Sequence, residues 1–108
     1  MCQLLGLNCA TPTDAHFSFA GFSRRGGGTD HHADGWGIAF FEGRGLRLFV
    51  DHLSAHQSPM AAFLRNYPLK STNIIAHVRK ATVGAVKLEN AHPFTRELWG
   101  QHWVFAHN

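Results

Sequence analysis

Short apolar runs separated by turn residues set the pattern of this chain, and none is long enough for an extended helix. Residues 2–8, Cys2-Gln3-Leu4-Leu5-Gly6-Leu7-Asn8, read as a short buried strand. From Asn8 to Asp34 the periodicity stops. A turn signal near Pro12 and the run Arg25-Gly26-Gly27-Gly28-Thr29-Asp30 predict a long loop, with at most a short helix around residues 17–22. Loops of that length inside a compact domain tend to be functional. Apolar residues return over 35–41, Gly35-Trp36-Gly37-Ile38-Ala39-Phe40-Phe41. Glu42-Gly43-Arg44-Gly45 then reads as a hairpin turn and 46–51 as the returning strand. Ser58 as N-cap and Pro59 at the first helical position open a helix over 60–67, which Pro68 stops. Strands follow over 72–79 and 102–108, joined by a loop centred on Gly84 that runs through His92-Pro93. Strands, one helix and strands again predict an α+β or layered antiparallel fold.

Within 72–79 the period of two puts Ile75, His77 and Arg79 on one face, and Ile74, Ala76 and Val78 on the other. A wholly apolar strand has no reason to end in His-Val-Arg unless its tip reaches a polar site. Arg79 there, leading into Lys80-Ala81-Thr82-Val83-Gly84, suits a bidentate grip on a carboxylate; a surface ion pair is the plainer alternative. The last strand ends in His107-Asn108, where an Asn side chain either donates to a developing oxyanion or caps a turn. In Asn90-Ala91-His92-Pro93-Phe94, His92 is open to a structural or a catalytic role.

Cys2 directly follows the initiator methionine. Removal of Met1 would put a thiol and a free α-amine on one residue. Thiols attack as thiolates, and an N-terminal amine is a known activating base for a nucleophile, with a pKa of about 7.7–8.0 that suits proton exchange near neutrality. The plainer reading of such a cysteine is a small buried apolar residue.

Composition narrows the classes. The 108 residues allow one domain, and nine Phe with three Trp argue against disorder. Ten basic and seven acidic residues leave a mild positive charge, dispersed except at Arg24-Arg25 and Arg79-Lys80. A nucleic-acid binder would cluster them, so no nucleic-acid partner is expected, while an anionic small molecule stays open. No apolar run approaches the roughly 20 residues of a membrane span, and the start lacks the basic region and cleavage site of a signal peptide. With only Cys2 and Cys9 there is no disulfide framework, and a cytoplasmic location is expected. The adjacent His31-His32 point apart and the two cysteines lack zinc spacing, so no metal site is expected. Gly26-Gly27-Gly28 lacks the Lys-Ser/Thr of a phosphate loop. The ending Trp103-Val104-Phe105-Ala106-His107-Asn108 is an apolar strand with nothing to cover it, and predicts a piece of a longer protein.

Taken together and in order, Cys2, Asp34-Gly35-Trp36-Gly37, His77-x-Arg79-x-Ala81-Thr82-x-Gly84, Asn90-Ala91-His92-Pro93 and His107-Asn108 resemble the class II glutamine amidotransferases, whose mature first residue is a cysteine. More narrowly the chain is similar to the small stand-alone bacterial members, the YafJ-like proteins. The resemblance implies a four-layer αββα N-terminal-nucleophile hydrolase sandwich, here incomplete, with residues 1–108 as the N-terminal portion of that domain. It implies that Cys2 is the nucleophile on the glutamine side-chain amide and that Asn108 donates to the oxyanion. Arg79 would hold the glutamine α-carboxylate with Thr82 beside it, and Gly35 and Trp36 would shape the pocket. His77 and His92 would be supports. The implied reaction uses no cofactor, and the ammonia passes to an unidentified acceptor enzyme or is released.

The chain departs from the family's usual Arg-Trp-Ala-Thr-His-Gly at Lys80 and Val83. It also stops at Asn108, where the family motif continues with a glycine whose N–H completes the oxyanion hole. Two alternatives use the same residues: a γ-glutamyl peptide hydrolase, and a truncated non-catalytic binding or regulatory fragment.

Overall fold

A computed structural model describes residues 2–14, 21–22, 34–67, 69–80 and 85–107. These segments hold six strands and the helix α1, in the order β1 (Gln3–Asp14), β2 (Trp36–Glu42), β3 (Gly45–Asp51), α1 (Pro59–Leu64), β4 (Lys70–Val78), β5 (Phe94–Leu98) and β6 (Gln101–Phe105), with a 3₁₀ turn over Leu88–Asn90; Gly21 and Phe22 are helical as well. The first four strands form an antiparallel sheet in the order β1-β4-β2-β3, and β5 and β6 pair as a separate hairpin. The arrangement is a sheet-rich α+β fold.

The two faces of the sheet differ as the period of two requires. Trp36, Ile38 and Phe40 of β2 and Ile74, Ala76 and Val78 of β4 enter one core with Ala61 and Leu64 of α1. The opposite face carries Gly37 and Ala39, registered against His77 and Ile75. These small residues leave room for the chain around His92 and for the β5–β6 hairpin. β2, flanked on both sides and covered on both faces, therefore reads as an almost unbroken apolar run rather than an alternating one.

Two-residue turns close both hairpins. In the β2–β3 turn Gly43 has φ 60°, the glycine-favouring conformation such tight connections need. In the β5–β6 turn both central residues, Trp99 (φ 54°) and Gly100 (φ 77°), are left-handed, and Trp99 is 91% exposed.

Several expected bounds shift. β1 is a half-buried edge strand and runs on to Asp14. Its pairing with β4 breaks between Asn8 and Thr13 and then resumes, so Pro12, which has no N–H to donate, falls in the irregular stretch. α1 starts at Pro59 on its Ser58 cap but ends at Leu64. The next residues close with Asn66 N–H on Phe63 and Tyr67 N–H on Leu64, the tighter pattern common at helix ends. The last strand ends at Phe105, and β5 was not expected at all. Strand 72–79 is observed as Lys70–Val78, with the two predicted faces. The expected helix at 17–22 and the triple glycine lie largely or wholly outside the described residues. Among the described residues no helix is long and apolar enough to cross a membrane.

Candidate functional site

Antiparallel pairing brings the start of β1, the end of β4, the start of β2 and the end of β3 to one end of the sheet. A single row crosses it, with Gln3 opposite Val78, Val78 opposite Trp36 and Trp36 opposite Asp51. Cys2, Arg79 and Gly35 stand one step beyond this row. The main chain of Arg79 continues the ladder, donating from its N–H to Gly35 O at 2.8 Å and accepting from Asp34 N–H at 3.0 Å.

Cys2 is half-buried and held by the main chain of Lys80. The Lys80 N–H donates to Sγ at 3.4 Å, and the thiol lies 3.7 Å from the Lys80 carbonyl oxygen. Thiol and guanidinium thus belong to neighbouring positions on paired strands. Gly35 adopts φ 127°, and a β-carbon there would come within 3.0 Å of Asp51 O, so both conformation and space call for glycine. The Trp36 side chain, 1% exposed, lies in the core beneath this end of the sheet.

Arg79 is buried, and its Nη1 donates to Ala85 O at 2.9 Å. Asn90 Nδ2 donates to the same carbonyl, also at 2.9 Å. The loop leading to His92 is therefore tied at its start to the arginine.

Beyond the loop the rings of His77 and His92 stack, centroids 4.6 Å apart and planes inclined by 18°. Each ring takes one main-chain group of His107. Nε2–H of His77 donates to the His107 carbonyl at 3.0 Å, and the His107 N–H donates to Nδ1 of His92 at 3.0 Å. A carbonyl only accepts and an amide only donates, so these partners place the proton of each neutral ring on Nε2. Burial, then the field of His92, pushes His77 down to about 4. Burial, then the fields of His107 and Arg79, also lowers His92. Both rings are neutral at neutral pH.

Of the residues expected at the site, Cys2, Gly35, Trp36, His77, Arg79 and His92 meet at this one end. Thr82 and Asn108 lie outside the described residues. Sequence reasoning did not single out the main chains of Lys80 and His107 or the Ala85 carbonyl. Side-chain patterns do not report where a backbone group is used. A separate cavity of ≈ 450 Å³ between the sheet and the hairpin, lined by Gly6, Ala39, Ile75 and Trp103 among others, includes none of the candidate residues.

The sequence pattern of the glutamine amidotransferases class-II matches residues 1–108. A Haemophilus influenzae protein assigned as a glutamine amidotransferase is 65% identical over the whole chain, which covers 37% of that protein. The Escherichia coli K12 protein YafJ, assigned likewise, is 55% identical over the whole chain, which covers 42% of it. The crystal structure of a predicted glutamine amidotransferase from Pseudomonas aeruginosa superimposes with a TM-score of 0.62 at 43% identity, over 99% of this chain and 42% of that one. A more distant relative, a γ-glutamyl-hercynylcysteine sulfoxide hydrolase from Mycobacterium tuberculosis, is 36% identical over 84 residues, 71% of this chain and 31% of its own length. The chain thus spans about two fifths of the first relatives it matches. With the matched pattern covering every residue and two relatives above half identity, the chain belongs to the class II glutamine amidotransferases.

Proposed function

We propose that this chain carries the nucleophile and the carboxylate-binding arginine of a glutamine-hydrolysing site, in which Cys2 cleaves the side-chain amide and ammonia is released or passed to an acceptor enzyme. The observation that carries the reading is the position of Cys2. Its sulfur accepts from the main-chain N–H of Lys80, the residue after Arg79, at the end of the sheet where Gln3 pairs with Val78, and this position supports the reading.

In the proposed reaction Met1 is removed and the Cys2 amine takes the thiol proton. The thiolate adds to the amide carbon, forming the S–C bond and placing negative charge on the oxygen. The Asn108 side chain donates to that oxyanion, one such donor being worth about 10²–10³ in rate. Collapse breaks the C–N bond, with the amine's proton going to the departing ammonia, and water hydrolyses the γ-glutamyl thioester. Arg79 would fix the α-carboxylate, Thr82 would line the pocket beside it, and Gly35 lets the strand end approach closely. In this reading the sheet with α1 on one face and the β5–β6 hairpin on the other is part of a four-layer αββα sandwich, in a cytoplasmic enzyme.

The test is labelling by a glutamine analogue that alkylates the nucleophile, followed by mass spectrometry of the full-length protein. An adduct on Cys2 of a chain lacking Met1 is expected. A fully active protein that retains Met1 would sink the amine-as-base step, and labelling on Cys9 would mean the wrong thiol was chosen.

A second reading, a γ-glutamyl peptide hydrolase with the same nucleophile, is favoured by the name of the Mycobacterium tuberculosis relative. Faster turnover of a γ-glutamyl peptide such as glutathione than of glutamine would select it.

A further inference from the structure

The stacked histidines hold both polar groups of one backbone residue, an arrangement that packing alone does not require. His77 comes from the interior of β4, registered opposite Gly37, and His92 from the loop before β5. They converge from different elements on His107, two residues past β6, taking its carbonyl and its N–H at 3.0 Å each. A third contact seats His92: its carbonyl oxygen occupies the space a β-carbon on Gly37 would fill. His77 is 1% exposed, and its Nδ1 is buried without a hydrogen-bond partner among the described residues. A buried polar atom left unsatisfied is costly, and here the ring is committed to His107 through its other nitrogen.

The carbonyl of His107 and the N–H of Asn108 belong to one planar peptide unit. Fixing that carbonyl, and the N–H on the other side of the same α-carbon, constrains how the chain enters Asn108. We propose that His77 and His92 are positioning residues that clamp the main chain of His107 and so aim Asn108 at the developing oxyanion. This rests on the proposed glutamine chemistry. The roles are opposite and specific: His77 supplies a donor through Nε2, and His92 an acceptor through Nδ1. Among the described residues the charged and titratable groups acting on the pair are Arg79 and the His107 ring, whose fields disfavour an imidazolium. The hydrogen bond from His77 to the His107 carbonyl works the other way, but on His92 burial and both fields act together and keep its Nδ1 available as an acceptor.

The roles dictate the variants. An asparagine Oδ1 falls near the position of an imidazole Nδ1, and a glutamine amide nitrogen near that of Nε2. His92→Asn and His77→Gln therefore preserve the clamp, while His92→Phe and His77→Leu remove it. In the full-length protein with glutamine as substrate, the clamp-breaking variants should lose about 10²–10³ in kcat, the cost of one oxyanion donor. KM should stay within about threefold and the rate of Cys2 alkylation by iodoacetamide should be unchanged, since neither needs the oxyanion hole. The conservative variants should recover most of kcat.

Unchanged kcat in His92→Phe and His77→Leu overturns the proposal, and so does an equal loss in the conservative pair. If the unaltered protein alkylates at Cys2 but does not hydrolyse glutamine, the functional reading fails instead. The clamp is then judged by NMR. Slow exchange of the His107 amide, retained in His92→Asn and lost in His92→Phe, supports it. Fast exchange of that amide in the unaltered protein overturns it.

Discussion

The backbone carbonyl of His92 stands where a β-carbon on Gly37 would have to go, with Val50 Cγ1 only 2.8 Å from the same point. Gly37 lies in β2 directly opposite His77, so this close approach lets the His92 ring stack on that of His77. The clash of a new methyl would be with backbone rather than a flexible side-chain end, and cannot be relieved by a rotamer change. Gly37→Ala should cost about 1–3 kcal/mol, typical of overpacking, and should displace the His92 loop. A lowered urea midpoint with an unchanged slope is the expected result. A midpoint within error of the wild type would mean the loop yields freely and does not seat His92.

Ser58 links the helix cap to the site end of the sheet. Its hydroxyl donates to Asp51 Oδ2 at 2.6 Å and accepts from Ala61 N–H at 3.2 Å, while Asp51 pairs with Trp36 in the row beneath Cys2. Ser58→Ala should cost about 1–2 kcal/mol, the upper range for a lost cap. Aspartate is ordinarily as good a cap as serine, yet Ser58→Asp would set one carboxylate against another. It should be no more stable than Ser58→Ala at neutral pH and should gain on it as pH falls. Equal stability of Ser58→Asp and wild type at pH 7 would show that Asp51 turns away.

Much of this was legible in the residues. Ser58-Pro59 announced the helix start, and Ile74-Ile75-Ala76-His77-Val78 gave both faces of β4 through its period of two. Cys2, Gly35, His77, Arg79 and His92 were assigned to one site only through the family resemblance that their ordered motifs carry, and the strand pairing and ring stacking put them at one end of the sheet. The β5–β6 hairpin was not legible. Phe94-Thr95-Arg96-Glu97-Leu98 is exposed along its whole length, so no buried face imposed an alternation to read. Its turn, Trp99-Gly100, also puts a tryptophan where asparagine or glycine is the usual signal. The clamp on His107 escaped for a different reason. It uses that residue's amide and carbonyl, which every position has, and only the three-dimensional meeting of two distant histidines singles it out.

Arg79 does two things at once: its guanidinium holds the Ala85 carbonyl and, in the proposed function, the substrate carboxylate. Lysine keeps the charge but not the planar fork. Arg79→Lys should raise KM for glutamine by about tenfold or more, the scale of a lost charge-assisted hydrogen bond. Asn90→Ala separates the two roles, because it removes only the second donor to Ala85 O. It should loosen the loop with a much smaller KM effect. A KM change as large in Asn90→Ala as in Arg79→Lys would make loop tethering, rather than carboxylate binding, the arginine's contribution.

The neutral histidine pair should also leave a signature in stability against pH. In the unfolded chain a histidine takes a proton near 6.5, whereas burial holds His77 down to about 4 in the folded protein. Between those values the unfolded state binds more protons, so protonation favours unfolding. The contribution is complete above about 6.5 and is lost as pH falls toward 4; His92, lowered in the same direction, adds to it. His77→Gln keeps a donor toward His107 but has no proton to take up. Its stability should fall less steeply than that of the wild type over this window, with the gap between the two narrowing or reversing at the acid end. Urea midpoints measured from pH 7 to pH 4 give the comparison. Parallel curves would show that His77 takes up its proton in the folded state as readily as in the unfolded chain, and the neutral, buried histidine pair would have to be given up.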